Sequence, residues 1–235
     1  MVNPFAILWK SALDVYGELF PMVGMNLLWL LISVPVVVVV TLVFVALRLP
    51  SEVAFPLAII FALLAPSPAS VGQHAYANNL VKEERVEFDV VWAGLRAYWR
   101  RSLALLAICI FMVALLAVNL SFYLTSSVPI LHFIAILWLY AIVLWSMMMM
   151  YLNALLVEQE DKSIRLILRN SLLLTVDNIV PSIVLFIVLV LLSLVSIGIA
   201  LLVALLTGSF VSVVQTRAVV AYLERYRSRM AKQAS

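Results

Sequence analysis

Two apolar stretches of this 235-residue chain each contain a short run of serine and glutamine side chains. One run follows Pro66 and the other follows Gly208, and in each run the polar residues recur at spacings that place them on one helix face. Hydroxyl and amide groups donate and accept hydrogen bonds without carrying charge. The chemistry that these residues suit is therefore the binding of a neutral polar solute in a cavity that opens to the cytoplasm.

We predict that this cavity is lined by residues from four membrane spans. The candidates are Asn26 and Ser33 in span one, Pro66, Ser67, Ser70, Gln73 and His74 in span two, Ser146 and Asn153 in span four, and Gly208, Ser209, Ser212, Gln215 and Thr216 in span six. Pro66 and Gly208 are expected near mid-membrane, where an interrupted helix exposes backbone groups that need partners. Interrupted segments at matching positions point to a substrate site in transporters. The alternative is ordinary packing, because small and hydroxyl side chains also join membrane helices closely.

No pattern in the chain is typical of catalysis. There is no P-loop, no HExxH sequence and no nucleophile with a base and an orienting group. No aspartate or glutamate lies inside a predicted membrane span. The single cysteine, Cys109, excludes an intrachain disulfide and a CxxC metal site. A lone histidine such as His74 is more often a packed polar group than a ligand. We therefore expect no catalytic residue, no metal and no cofactor, and an intramembrane enzyme is disfavoured.

Composition identifies the elements that must position these residues. Hydrophobic residues make up 66% of the chain, charged residues only 11%, and the mean hydropathy is +1.17. A soluble domain is about half apolar and about a quarter charged, so a soluble enzyme, a disordered tail, a coiled coil and a nucleic-acid-binding module are excluded. Residues 19–47 and 53–81 are uncharged and long enough for one span each, and residues 102–157 and 178–216 for two each. We predict an all-α membrane protein with six spans in one domain, residues 1–235, with turns at 125–129 and 196–198.

The basic residues predict the orientation of these spans. With six spans, 14 of the 15 basic residues fall on one side of the membrane, and Arg48 alone falls on the other. Lysine and arginine accumulate in cytoplasmic loops. Both termini are therefore expected in the cytoplasm, and the net charge of +3 is a topology signal rather than a sign of nucleic-acid binding.

The chain also repeats itself. An amphipathic segment with Phe5, Trp9 and Tyr16 on its apolar face returns 83 residues later with Phe88, Trp92 and Trp99, and more weakly at residues 164–169. Ser67, Ser70 and Gln73 return 142 residues later as Ser209, Ser212 and Gln215. We interpret the chain as three tandem units, approximately residues 1–81, 82–157 and 158–235. Each unit is an amphipathic helix in the cytoplasmic interface followed by a transmembrane hairpin.

Three short segments resemble the YesL-type family of bacterial integral membrane proteins. They are the run from Asn26 through Trp29 and Ser33 to Pro35, the run from Pro66 to Ala69, and the helix with Phe88, Trp92 and Leu95. The resemblance covers roughly residues 20–105, and Ala65 stands where the family often has glycine. That family is a domain of unknown function whose members often occur beside carbohydrate-uptake genes, which implies an accessory or transport role. It fixes no catalytic residue.

Two functional hypotheses follow. The first is a non-enzymatic membrane protein that handles a solute or assists a transporter, linked to carbohydrate uptake, with the lipid bilayer and another membrane protein or transporter subunit as partners. The alternative is a structural or regulatory scaffold that holds a partner at its cytoplasmic face. A continuous polar cavity favours solute handling, whereas a dry, fully packed bundle favours the scaffold.

The charge distribution makes a direct prediction about topology. A reporter that is active only in the cytoplasm should be active when it is fused after Ser235, because the basic connections are retained on that side. A reporter that needs export should be inactive at the same site. The opposite pattern of activity would overturn the count of six spans.

Overall fold

The computed structural model describes residues 2–48, 51–84, 87–128, 130–199 and 202–234. Within these ranges the chain is helical and contains no strand. The elements are α1 (Pro4–Gly17), α2 (Leu19–Ala46), α3 (Ser51–Leu64), α4 (Pro68–Val81), α5 (Asp89–Leu124), α6 (Leu131–Glu158), α7 (Ile164–Asp177), α8 (Ile179–Gly198), a π-helical segment (Val203–Thr207) and α9 (Gly208–Ala234). Three residues used in the predictions lie outside the described ranges. They are Arg85 of the charge distribution, Pro129 of the predicted turn at 125–129, and Ser235 at the fusion site.

The predicted all-helical architecture is confirmed, and the six predicted spans correspond to five or six helices of the structure. Within the described ranges, five helical stretches are long and apolar enough to cross a membrane. A sixth span results when α3 and α4, which meet at an angle of 41°, are counted as one bent span. This number of apolar helices is compatible with a multi-pass membrane protein. The bend lies at residues 65–67, directly around Pro66.

Proline also determines where the amphipathic helices end. Glu18 alone separates α1 from α2, and Asn178 alone separates α7 from α8. In both cases a proline follows three positions later, Pro21 after Glu18 and Pro181 after Asn178. Proline lacks the N–H that would donate to the carbonyl four residues earlier, so the carbonyls of Gly17 and Asp177, the last residues of α1 and α7, have no helical donor. The second amphipathic segment has no such proline. It runs without a break into its span as the 36-residue helix α5.

Helix α1 presents its apolar aromatic residues outward. Phe5, Trp9 and Tyr16 are well exposed, whereas Ile7 and Val15 are buried against the bundle. In water such a surface would be unfavourable, but at a membrane interface aromatic side chains sit at the level of the headgroups. The exposure of this face therefore agrees with the interfacial placement that the sequence predicts.

Three helical segments form the centre of the bundle. Nearly every residue of segments 61–78, 147–156 and 207–220 is buried. In α8, by contrast, only about every third or fourth residue is buried, on one face. The four methionines at 147–150 belong to the centre and are all buried. These three segments are thus internal, whereas α2, α5 and α8 are each buried along only part of their surface.

The turn between α8 and the last span lies later than predicted. The helix continues through residues 196 and 197 and ends at Gly198, so the prediction of a turn at 196–198 was wrong. Ser196 is fully buried, and its hydroxyl accepts a hydrogen bond from the Thr207 hydroxyl at 2.9 Å. This bond to the next span keeps Ser196 inside the bundle. Thr207 ends the π-helical segment and Gly208 begins α9, so both residues lie within the helical last span.

Helices α4 and α5 cross at two glycines. A Cβ atom added at Gly94 would lie 2.4 Å from the Cβ of Ala75, and one added at Gly72 would lie 2.9 Å from the carbonyl oxygen of Val91. Both obstacles are fixed to a backbone and cannot turn away. The crossing therefore needs glycine at both positions, as close helix packing in membranes often does.

This crossing predicts a stability difference between two glycine variants. Gly94→Ala should lower the free energy of unfolding by about 1–3 kcal/mol, because the added methyl group overpacks the crossing. Gly17→Ala is the matched control, since a Cβ atom there meets nothing within 4 Å. The midpoint of thermal unfolding in detergent measures both variants. Equal midpoints would contradict the close crossing.

Candidate functional site

Most of the candidate residues of spans one, two, four and six meet in the first two turns of α4 and α9. We call the side of the bundle at which α4, α6 and α9 end the basic face, because Lys82 and Lys162 follow α4 and α6 there and Arg227 lies near the end of α9, and we call the opposite side the far side. Asn26, which takes part in this meeting, is the eighth residue of α2 and so lies about 10 Å along the helix from its start. The site is therefore in the half of the bundle nearer to the basic face.

The break in span two is closed by a pair of serines. Pro66 and Pro68 interrupt the helix, and Ser67 then caps α4. The Ser67 hydroxyl accepts from the backbone N–H of Ser70 at 3.1 Å, and the Ser70 hydroxyl accepts from the N–H of Ser67 at 2.9 Å. This reciprocal arrangement satisfies two backbone donors that the break leaves without helical partners.

A side chain from span four completes this cap. With the amide of Asn153 oriented so that both of its ends are satisfied, its oxygen accepts from the Ser70 hydroxyl at 2.7 Å and from the N–H groups of Ser67 and Val71 at 3.3 Å each. Its nitrogen donates to the hydroxyl of Ser102 at 3.1 Å. All four side chains that interact here are buried. Asn153 thus joins the start of α4 to α5.

The irregular start of the last span is closed by a residue of span one. The π-helical segment ends at Thr207, and the N–H of Ser209 donates to Oδ1 of Asn26 at 3.1 Å. The hydroxyl of Ser209 donates to the carbonyl oxygen of Met22 at 2.7 Å. A Cβ atom at position 208 would lie 2.7 Å from Oδ1 of Asn26, so glycine at Gly208 admits the asparagine to the helix backbone. A side chain inserted next to a π-helical turn is a recognised cause of helix distortion.

Gln73 links spans one, two and six. Its amide nitrogen donates to the carbonyl oxygen of Met25 at 3.2 Å and to the hydroxyl of Ser209 at 3.3 Å. Its amide oxygen accepts from the hydroxyl of Ser212 at 3.1 Å. Gln73 is 2% exposed, so these bonds have no water to compete with them.

His74 and Gln215 form a second side-chain contact between α4 and α9, next to the contacts of Gln73 with Ser209 and Ser212. The Nδ1 atom of His74 lies 2.7 Å from the carbonyl oxygen of Ser70. The Nε2 atom lies 2.9 Å from Oε1 of the Gln215 side-chain amide. The same amide reaches the carbonyl oxygen of Leu64 at 3.5 Å, before the break in span two. Both ring nitrogens are engaged within the protein, and neither is left for a metal.

The remaining candidates stand apart from this network. Ser33 and Thr216 are buried, and their hydroxyls have no hydrogen-bond partner in the described part of the chain. Ser146 donates to the carbonyl oxygen of Ile142 in its own helix at 2.8 Å and lines a different, apolar cavity. Ser102 joins the network without having been predicted, because the only signal in the sequence was its polarity at the start of an apolar stretch. Whether the candidates line a cavity stays a prediction.

Ion pairs lie between this network and the basic face. Glu158, at the end of α6, accepts from Lys82 at 2.6 Å and faces Arg227 at 3.8 Å, and its carboxylate side chain is only 6% exposed. Oriented to satisfy both neighbours, the Asn78 amide donates to Glu158 at 3.0 Å and accepts from Lys82 at 3.2 Å. The cluster holds the ends of α4, α6 and α9 together.

A second set of polar contacts fastens α1 to the same end of the bundle. Arg217 of α9 forms an ion pair with Asp14 of α1. The hydroxyl of Tyr76 in α4 donates to Glu18, directly after α1, at 3.3 Å. Helix α1 is therefore anchored by charge to the central helices as well as by its buried residues Ile7 and Val15.

Comparisons with known proteins identify no relative. No protein-family model matches the chain, and no curated protein or solved structure matches it. Among the described residues, no group of three or more histidine, cysteine, aspartate or glutamate side chains could hold a metal ion.

The contacts of Gln73 predict its contribution to stability. Gln73→Met keeps the approximate volume but removes three interhelical hydrogen bonds and leaves the buried hydroxyl of Ser212 without its acceptor, so we expect the free energy of unfolding to fall by about 1–3 kcal/mol. The matched control is Asn119→Leu, because the Asn119 side chain bonds only to the Leu115 carbonyl of its own helix. Thermal unfolding in detergent should separate the two variants, and a Gln73→Met protein as stable as wild type would contradict the network.

Proposed function

We propose that this chain is a non-enzymatic, multi-pass membrane scaffold, with a rigid polar core that supports a binding surface on the basic face. The observation that supports this proposal is the mutual hydrogen bonding of the candidate residues. Gln73 bonds to Ser209, Ser212 and the backbone of span one, and His74 bonds to Gln215. Groups that already satisfy one another do not need a solute, and replacing these bonds would cost free energy.

The proposed scaffold consists of three tandem units. Buried positions recur every 80 residues along the first helices of the hairpins. The three sets are Met22, Ser102 and Ser182; Met25, Leu105 and Leu185; and Trp29, Cys109 and Leu189. A recurrence of burial at a constant spacing supports parallel repeats, in which each unit inserts in the same direction.

The proposed binding surface faces the cytoplasm, and the partner is another membrane protein or a transporter subunit. The basic residues support this orientation through the positive-inside rule. Residues 227–233 at the end of α9 are all exposed and extend from the buried part of the helix. The cluster of Glu158 with Lys82 and Arg227 fixes the point from which this helix end projects.

Cysteine labelling tests the scaffold directly. In a Cys109→Ala background, Ser70→Cys and Ser212→Cys should resist a polar thiol reagent applied from the basic side, because both positions are buried and in contact with neighbouring helices. A buried thiol also forms the reactive thiolate poorly. Ser228→Cys, on the exposed end of α9, is the matched control and should react rapidly.

The readout is the fraction of protein labelled over time, compared with the same variants after denaturation. Full labelling in denaturant shows that each cysteine is present and reactive. Rapid labelling of Ser70→Cys and Ser212→Cys in the folded protein would contradict the packed core. Protection of those cysteines by an added solute would then support the second candidate.

That second candidate is solute handling, and the paired helix breaks favour it. The irregular backbone at Pro66 and before Gly208 lies at matching positions of two spans, which is the arrangement found at substrate sites of transporters. A link to carbohydrate uptake depends on the resemblance to the YesL-type family alone. We place this candidate second because the irregular backbone is already satisfied by Ser67, Asn153 and Asn26.

A further inference from the structure

An apolar cavity of about 540 Å³ lies on the far side of the bundle, away from the polar network. Its walls are α3, α5, α6 and α8, with the end of α2. Residues that line it include Leu57 and Phe61 of α3, Ala117 and Leu124 of α5, Met149 of α6 and Phe186 of α8. Its volume falls within the range typical of ligand sites, about 300–1,000 Å³.

The cavity has almost no capacity for hydrogen bonding. The hydroxyl of Thr125 donates to the carbonyl oxygen of Ser121 at 2.9 Å, and that of Ser146 donates to the carbonyl oxygen of Ile142 at 2.8 Å. The hydroxyls of Thr125 and Ser146 are thus bonded within their own helices, and Ser121 carries the one further hydroxyl among the lining residues. Water needs two to four polar partners to stay in a buried space, so this space suits hydrocarbon and not water.

The length of the cavity matches one leaflet of a bilayer. Along α5 its lining runs from Val113 to Leu124, which is about 16 Å of helix at 1.5 Å per residue. The hydrocarbon core of a bilayer is about 30 Å thick, so one leaflet contributes about 15 Å. Leu64 and Met149, at the inner end, lie at the level where span two breaks.

We propose that the cavity binds one acyl chain of a phospholipid from the leaflet on the far side. The apolar lining excludes a polar ligand, and the surrounding membrane supplies acyl chains of the required length. Arg48 directly follows Leu47, which lines the outer end of the cavity, and it is exposed. A cation at this end places a partner for the lipid phosphate where the headgroup of the bound chain would lie.

Lipid retention tests the proposal. The purified protein, washed with detergent, should retain about one phospholipid when it is examined by native mass spectrometry. Ala117→Phe places a ring in the space of the chain, and we expect the retained lipid to fall about tenfold, the change that an affinity loss of about 1.4 kcal/mol produces. Ala107→Phe is the matched control, since Ala107 is exposed on the same helix. Equal retention by the two variants, or none by the wild type, would overturn the proposal.

A measurement on the unaltered chain covers the case in which Ala117→Phe fails to fold. The protein is reconstituted in nanodiscs of phosphatidylethanolamine and phosphatidylglycerol that contain phosphatidylglycerol with a diazirine group in its acyl chain. After illumination, adducts should be enriched at Val113, Ala117 and Leu120, which line the cavity. Adducts confined to Phe111, Val118 and Phe122, which are exposed on the outside of α5, would show that the lipid is only annular and would overturn the proposal.

Discussion

Hydrocarbon offers no hydrogen bonds, so every backbone group within a membrane span must find its partner inside the protein. Two spans of this chain break that requirement locally, one at Pro66 and the other in the π-helical segment before Gly208. The rest of the buried polar core depends on this constraint. Ser67 and Asn153 satisfy the first break, and Asn26 satisfies the second. Because these partners come from different spans, the hydrogen bonds that satisfy the two breaks also join spans one, two, four and six.

The same repair determines which functions the core can support. An amide such as Gln73, with its nitrogen and oxygen both bonded across spans, holds the helices in one register. Opening the core to a solute would require several of these bonds to exchange together, which is why we propose a support rather than a carrier. Under this proposal, binding takes place at the two ends of the bundle, of which one is charged and the other is apolar.

The sequence predicts some of these features and not others, for physical reasons. Pro66 predicts its break because proline lacks a donor, and the repeated serines and glutamines predict their shared faces because helical spacing is regular. The partner of each group depends on the depth and rotation of separate helices, which no local pattern records. Asn26 was therefore a predicted residue with an unpredicted role, and Ser102 was missed. The continuity of α5 follows from the absence of a proline like Pro21 or Pro181, a difference between repeats that a search for similarity overlooks.

The break in span two also connects the polar core to the apolar cavity. Leu64 ends α3, and its carbonyl oxygen, left without a helical donor by the break, lies 3.5 Å from the amide of Gln215. The side chain of the same residue lines the cavity. Because α3 leaves the line of α4 at 41°, it does not continue the close packing that α4 makes with the centre of the bundle. One bend therefore has two effects, since it creates backbone groups that must be satisfied on the basic side and leaves space on the far side that only hydrocarbon can fill.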